Sequence, residues 1–138
     1  MAVYQSLQGN LGLGKAIEYF VSHSIPVSIP LNDTQPYDLI ADFDGKLQKV
    51  QVKTSRATNN GISYAVQLRN IGGNRTGTVR QVAFDNTTSD YLFIYTANEK
   101  IYLIPTKDIT AINEITVGIK YTEYEVQIKP FADFIDEL

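Results

Sequence analysis

The sequence predicts an α+β domain: a mixed β-sheet flanked by helices, in the broad α/β class. Three observations predict it. Residues 12–24 carry apolar side chains at helical spacing and are followed by Pro26. A series of short β-patterned runs then occupies most of residues 37–105. Between the first two of these runs stands Asp44-Gly45, a strong hairpin signal. A chain of 138 residues fits one domain over residues 1–138.

In the first element Leu13, Ile17, Phe20 and Val21 share one face, with Lys15, Glu18 and Ser22 away from it. Residues 25–31 form a short β run with proline near both ends, which suits an edge strand. Residues 37–43 and 47–54 make two strands of a hairpin. Leu47, Val50 and Val52 are out of phase, which predicts a bulge near Lys49. Residues 62–68 form another strand, and residues 70–78 a Gly/Asn-rich loop. Residues 91–96 (Tyr-Leu-Phe-Ile-Tyr-Thr) are the most apolar strand, hence central, and residues 100–105 pair with it. A helical turn at 107–112, a strand at 124–128 and a short helix or ordered tail at 131–138 complete the chain.

Composition narrows the function. The chain is 43% hydrophobic and 20% charged, ordinary for a globular protein, and its first residues do not read as a secretory signal. No apolar run approaches the length of a membrane span, so a cytoplasmic location is expected. With no cysteine, disulfides and thiolate metal sites are excluded. The single histidine, His23, reads as a surface or half-buried residue of the helix tail, and zinc sites need more ligands than it offers. Catalysis in such a chain runs on carboxylates, lysine and a metal.

The net charge of -3 hides an asymmetry. From Gly45 to Phe84 there are seven basic residues and no acidic one, and the remainder holds five basic and fifteen acidic. A basic block within an acidic protein is a local electrostatic footprint suited to phosphates.

Two constellations could carry chemistry. Gly9 to Lys15 has the spacing of a phosphate-binding GxxxxGK loop, but Ala16 stands where a magnesium-binding hydroxyl belongs. The segment therefore reads as a flexible entry to the first helix. The second constellation is Pro36-Tyr37-Asp38, followed after the hairpin by Gln51-Val52-Lys53. Gln51 and Lys53 differ by two and so project from one face of their strand. Asp38, the Gln51 amide oxygen and the Val52 backbone carbonyl offer a hard divalent cation its oxygen ligands. Lys53 can orient or deprotonate a water, or neutralise charge on a phosphate. The same residues also fit an amphipathic hairpin with a solvated Gln-Lys face. Asp42, about 13 Å from Asp38 by strand rise, is too far to share its metal, and Asp44 serves the turn.

The residues Pro36-Tyr37-Asp38-Leu39-Ile40, Asp44-Gly45-Lys46-Leu47 and Val50-Gln51-Val52-Lys53-Thr54 resemble the PD-(D/E)XK endonucleases encoded within group I introns, together with their bacterial and phage relatives. In these proteins Gln often occupies the third catalytic position. The resemblance extends back through Gly9-Asn10-Leu11-Gly12 and Lys15 to Phe20. It extends forward weakly through residues 72–77 and through Asp90-Tyr91-Leu92-Phe93-Ile94. It implies a restriction-endonuclease-like core of one helix, a mixed sheet of four or more strands and a second helix. It also implies double-strand DNA cleavage dependent on Mg2+ (or Mn2+) by a homodimer or homotetramer. By position, Asp38, Gln51 and Lys53 match the motif. The family often adds a Glu in the first helix. Here that position is Leu13, which cannot bind metal, and Glu18, more than a turn further on, is a poor substitute.

Under this reading Lys46, Lys49, Arg56, Arg69, Arg75 and Arg80 supply phosphate contacts, and Gln67 and Asn74 can meet adenine. The tyrosines read as packing residues. Two other readings stay open: a DNA-binding protein of the same fold that has lost cleavage, motivated by Leu13, and a β-rich ligand- or protein-interaction module.

Overall fold

The computed structural model describes residues 2–32, 34–73 and 79–134, with the side chains of residues 2–5, 70–73 and 79–81 left aside. Among the described residues the helix α1 (Ala2–Ser22) is followed by ten strands. These are β1 (Val27–Ser28), β2 (Leu39–Phe43), β3 (Lys46–Ser55), β4 (Tyr64–Gln67), β5 (Asn70–Gly73), β6 (Val79–Val82), β7 (Tyr91–Thr96), β8 (Ile101–Pro105), β9 (Glu114–Val117) and β10 (Glu125–Val126). Six of them form one sheet in the order β1-β2-β3-β7-β8-β10. Only the β3–β7 pair in it is parallel, so the sheet is mixed and its two longest strands lie at its centre.

Each face of the sheet is covered by a different element, and the alternation of side chains along β3 and β7 divides the core accordingly. On one face α1 buries Ala16, Tyr19 and Phe20 against Leu39, Ala41, Val50 and Phe93. On the other, the antiparallel β4–β9 ribbon lays Tyr64, Val66, Ile115 and Val117 over Leu92, Ile94, Tyr102 and Ile104. This ribbon fills the place where the family resemblance predicts a second helix. Among the described residues α1 is the only α-helix, and the remaining helical pieces are single 3-10 turns.

The helix begins ten residues earlier than its apolar pattern suggests. Gly9, Gly12 and Gly14 lie inside it, so the GxxxxGK-like segment is helical and its amides are committed to the helix rather than to a phosphate-wrapping loop. Gly12 has a packing reason: a Cβ there would lie 2.5 Å from Thr54 Cγ2 and 3.2 Å from Val52 Cγ1. Gln8 adds a hydrogen bond from Nε2 to Thr54 Oγ1 at 2.8 Å. Val21, expected on the inner face, is exposed, and Ala16 and Tyr19 are buried instead. The helix stops at Ser22, whose Oγ accepts the Lys129 amide at 3.0 Å, while His23 in the following turn meets the Gln127 carbonyl at 2.8 Å.

The β2–β3 hairpin closes through Asp44 (φ 54°) and Gly45 (φ 91°), both left-handed as a two-residue type I′ turn requires. Asp42 also serves the turn, its Oδ1 accepting the Gly45 amide at 2.6 Å. Pairing runs unbroken from Phe43–Lys46 to Leu39–Val50, so there is no bulge at Lys49. Leu47 is out of phase because it faces solvent near the hairpin end. Residues 70–73 and 79–82, partly read as a loop, pair as the antiparallel strands β5 and β6, while Asn74 and Arg75 lie outside the described residues.

Gly118 follows β9 with φ 114°, and a Cβ there would overlap the Ile62 carbonyl oxygen. Gly118→Ala is expected to lower stability by about 2–4 kcal/mol, read as a fall in urea midpoint at constant slope.

Candidate active site

The hairpin register brings the sequence motif together. Leu39 pairs with Val50, so Asp38 stands one step beyond the end of β2, opposite Gln51. Its amide donates to the Val50 carbonyl at 2.8 Å. Its carboxylate Oδ2 accepts the Val52 amide at 2.7 Å. That amide lies past the end of β2 and would otherwise face no strand; the Asp38 side chain takes the place of a main-chain partner. The Lys49 and Ser55 carbonyls bond toward β7, at Asp90 and Ala97, so the even-numbered residues of β3 present their amide and carbonyl toward β2. The Val52 carbonyl therefore points to the same side as the amide that Asp38 holds.

Side-chain alternation completes the arrangement. Val50 packs beneath α1, whereas Gln51 and Lys53 lie across from Leu92 and Ile94 of the opposite core. Gln51 is buried at 5% exposure and Lys53 is half-buried. Asp38 retains solvent-accessible surface, so an ion could reach it, yet its carboxyl feels the protein around it. Burial pushes the Asp38 carboxyl above the usual aspartate range, an effect that the Val52 amide and the Lys53 ammonium only partly oppose. Burial lowers the Lys53 ammonium in turn, and Asp38 partly restores it. The two groups thus stand close enough to sense one another while both are disfavoured as isolated charges.

The donor chemistry suits a hard cation. Asp38 offers a carboxylate oxygen, Gln51 an amide oxygen and Val52 a carbonyl, while among the described residues no three His, Cys, Asp or Glu cluster. Magnesium is commonly held by one or two carboxylates, with the remaining positions left to water and substrate phosphate. These residues fit that pattern.

Other expected site residues are distributed unevenly. Glu18 is not brought to this site: it sits on α1, across the sheet, where its Oε1 lies 3.4 Å from Lys15 Nζ. Glu18 lies on the outer face of α1, whose inner face covers Val50 and Val52 from the other side. Leu13 packs partly against that same core. Lys49 shares the face of Gln51 and Lys53, its ammonium 5.7 Å from the centre of the Tyr37 ring. Lys46 pairs with Phe43, which packs in the core beneath α1, and so points to the opposite face from Lys49. Arg56 is exposed just beyond the end of β3. Arg69 leads into the β5–β6 hairpin with its Nε donating to Asn113 Oδ1 at 2.7 Å, and Gln67 donates to Glu114 at 2.7 Å. Arg80 lies on β6, with its side chain outside the described set.

Asp90, which figures in the sequence only within a weakly resembling run and not as a site residue, anchors the site strand. Its Oδ2 accepts the Lys49 amide and its own amide donates to the Lys49 carbonyl, both at 2.8 Å. Its place immediately before the most apolar strand was the available clue. Ser55, one alternation beyond Lys53, is buried and bonds to the Ala65 carbonyl, tying the end of β3 to β4.

No described helix is long and apolar enough to cross a membrane. No curated protein matches the chain. Among solved structures, a bacterial homing endonuclease, I-Ssp6803I, is similar at a TM-score of 0.69 and 28% sequence identity, covering 92% of this chain and 84% of that one. The family model of PD-(D/E)XK endonucleases, enzymes that generally use divalent metals, matches residues 4–136. With nearly its whole length matched and its motif residues assembled on one face, the chain belongs to the PD-(D/E)XK endonuclease family.

Proposed function

We propose that this chain is a site-specific, metal-dependent double-strand DNA endonuclease of homing or mobile-element type, acting as a homodimer or homotetramer. The observation that carries the proposal is the meeting, at the end of β2, of the Asp38 carboxylate with the Val52 main chain and with the strand face that carries Gln51 and Lys53. Similarity to a bacterial homing endonuclease supports the choice of DNA as substrate.

Asp38, the Gln51 amide oxygen and the Val52 carbonyl would hold Mg2+ or Mn2+. A divalent ion bound there supplies charge neutralisation at the phosphodiester. The Val52 amide holds Oδ2 of Asp38 in place and so fixes the direction of the other carboxylate oxygen. Lys53, its ammonium destabilised by burial, is suited to take a proton from the attacking water as the new P–O bond forms and the old one breaks. In its charged form it would instead balance the phosphate. Lys49, on the face of Gln51 and Lys53, would track a neighbouring phosphate, and Arg56, Arg69, Arg75 and Arg80 would supply further phosphate contacts. One such centre cuts one strand, so a double-strand cut needs at least two copies.

Lys53→Ala should reduce cleavage by about 10²–10⁴-fold while leaving DNA binding intact. Genomic DNA incubated with Mg2+ and sequenced at its new ends would show recurrent ends for wild type and none for Lys53→Ala or in EDTA. Ends that persist in the variant would refute the assignment of Lys53. Binding without any cutting would favour the reading in which the fold is kept for DNA binding alone.

The pH dependence follows from Asp38. With its pKa raised in the fold, the metal-free protein takes up this proton at a higher pH than an ordinary aspartate. Because metal binding needs the ionised form, Mn2+ affinity should begin to fall on acidification before ordinary aspartates protonate. Carbon-detected NMR of the Asp38 carboxyl, beside Mn2+ titrations across pH, checks both statements.

Lys49→Ala and Arg56→Ala should each weaken DNA binding across all sequences and reduce the salt slope by about 1. Unchanged salt dependence in both would remove them from the phosphate path.

A further inference from the structure

The outer face of α1 is apolar where a solvent-facing helix should be charged. Leu7, Leu11, Gly14, Glu18 and Val21 recur at spacings of four and three, on the side of the helix opposite Ala16 and Phe20, which are fully buried. Leu7, Leu11 and Val21 are 58%, 56% and 48% exposed. From Ala2 to Gly14 the helix has no charged residue at all. A Cβ at Gly14 would meet nothing within 4 Å, so the middle of the stripe is open to close approach from outside.

At the C-terminal end of α1 the same surface becomes a groove. The segment after β10 runs back along the helix, held by the Lys129 amide on Ser22 Oγ and by His23 on the Gln127 carbonyl. Ile17, Val21, Ile128, Phe131 and Phe134 line the groove, which has a volume of about 520 Å³. Phe131 is 90% exposed, with its ring stacked on Phe134 at 6.5 Å. One end of the helix thus carries a leucine ridge and the other an apolar groove.

We infer that this face binds a second copy of the chain, with the two α1 helices antiparallel and crossing at Gly14. A two-fold axis through Gly14 places Leu7 opposite Val21 and Leu11 opposite Ile17, so each ridge enters the partner's groove. An isologous contact requires such self-complementarity. Charge selects the same occupant. The ridge is uncharged and the groove carries one acid and one base, Glu18 and Lys129, so two copies meet as neutral surfaces whereas a DNA backbone would find no net positive charge. Antiparallel apposition also sets the positive N-terminal end of each helix dipole beside the negative C-terminal end of the other.

The contact gives the proposed oligomer one of its surfaces. Because α1 and the Asp38–Lys53 centre occupy opposite faces of the sheet, the pair leaves both centres pointing outward. Two centres on one duplex then need a second, different contact.

The chain has no cysteine, so introduced thiols report cleanly. Leu7→Cys and Val21→Cys proteins, mixed and oxidised, should form a mixed disulfide dimer in greater yield than Leu7→Cys mixed with Leu47→Cys, whose thiol lies at an exposed position on β3. By sedimentation equilibrium, Leu11→Glu should raise the self-dissociation constant at least about 30-fold with its helical circular dichroism unchanged. Wild type that stays monomeric at every concentration reached would overturn the inference. So would cross-linking no better than the Leu47→Cys control, or self-association that Leu11→Glu leaves untouched. None of these variants alters the Asp38–Lys53 centre, so failure of the contact appears in mass and cross-linking. Failure of the nuclease reading appears separately, as the absence of metal-dependent cleavage by wild type.

Discussion

The candidate site depends on the register of one hairpin. Asp44 and Gly45, both left-handed, make a two-residue turn that sets Phe43 opposite Lys46 and every later pair by consequence. Five steps on, β2 has ended and Asp38 faces the amide of Val52. A slip of one residue would turn Gln51 and Lys53 toward α1 and Val50 and Val52 away from the core. Burial of Leu39, Ala41 and Val50 under α1 opposes that slip, so the hydrophobic core and the turn together specify which face becomes polar. The parallel pairing of β3 with β7 then backs the site with the sheet's most apolar strand.

Much of this was legible in the sequence because it is local. The Asp-Gly turn, the two-residue spacing of Gln51 and Lys53, and the apolar run of β7 each depend on neighbours a few residues away. What was not legible depends on contacts across the chain. The segment from Gly9 to Lys15 reads as a flexible entry to the helix, yet Gly12 is where the helix meets Thr54 and Val52, some 40 residues distant. The bulge expected at Lys49 assumed that Leu47 was inward. In a hairpin end without a covering element, an outward leucine costs the register nothing. The second helix expected from the family resemblance is replaced by β4 and β9, and β9 lies too far from β4 in sequence for a local pattern to announce their pairing.

The basic block illustrates the same limit. Composition located the positive charge between residues 45 and 84 but not its direction. Strand alternation sends Lys49 to the face of Gln51 and Lys53 and Lys46 to the other, although three residues separate them. Arg69 leaves its strand already engaged with Asn113. A cluster in sequence is thus divided by the sheet, and Lys49 is the member that strand alternation places on the motif's face.

The first-helix position raises a physical question about how a centre with one carboxylate would work. Leu13 packs toward the core and Glu18 pairs with Lys15 on the far side of the sheet, so α1 adds no acid to Asp38. Asp38 is also harder to ionise than an ordinary aspartate. On the proposed reading, both facts weaken metal binding in the absence of substrate. A DNA phosphate entering beside Asp38 would supply further oxygen ligands and negative charge, and the same negative charge would favour protonated Lys53 until a cation balances it. Ion and DNA would then each raise the affinity for the other, since linkage is reciprocal. On that reading a weak centre of this kind would be assembled on DNA rather than held ready in free protein, and cleavage would become conditional on productive binding.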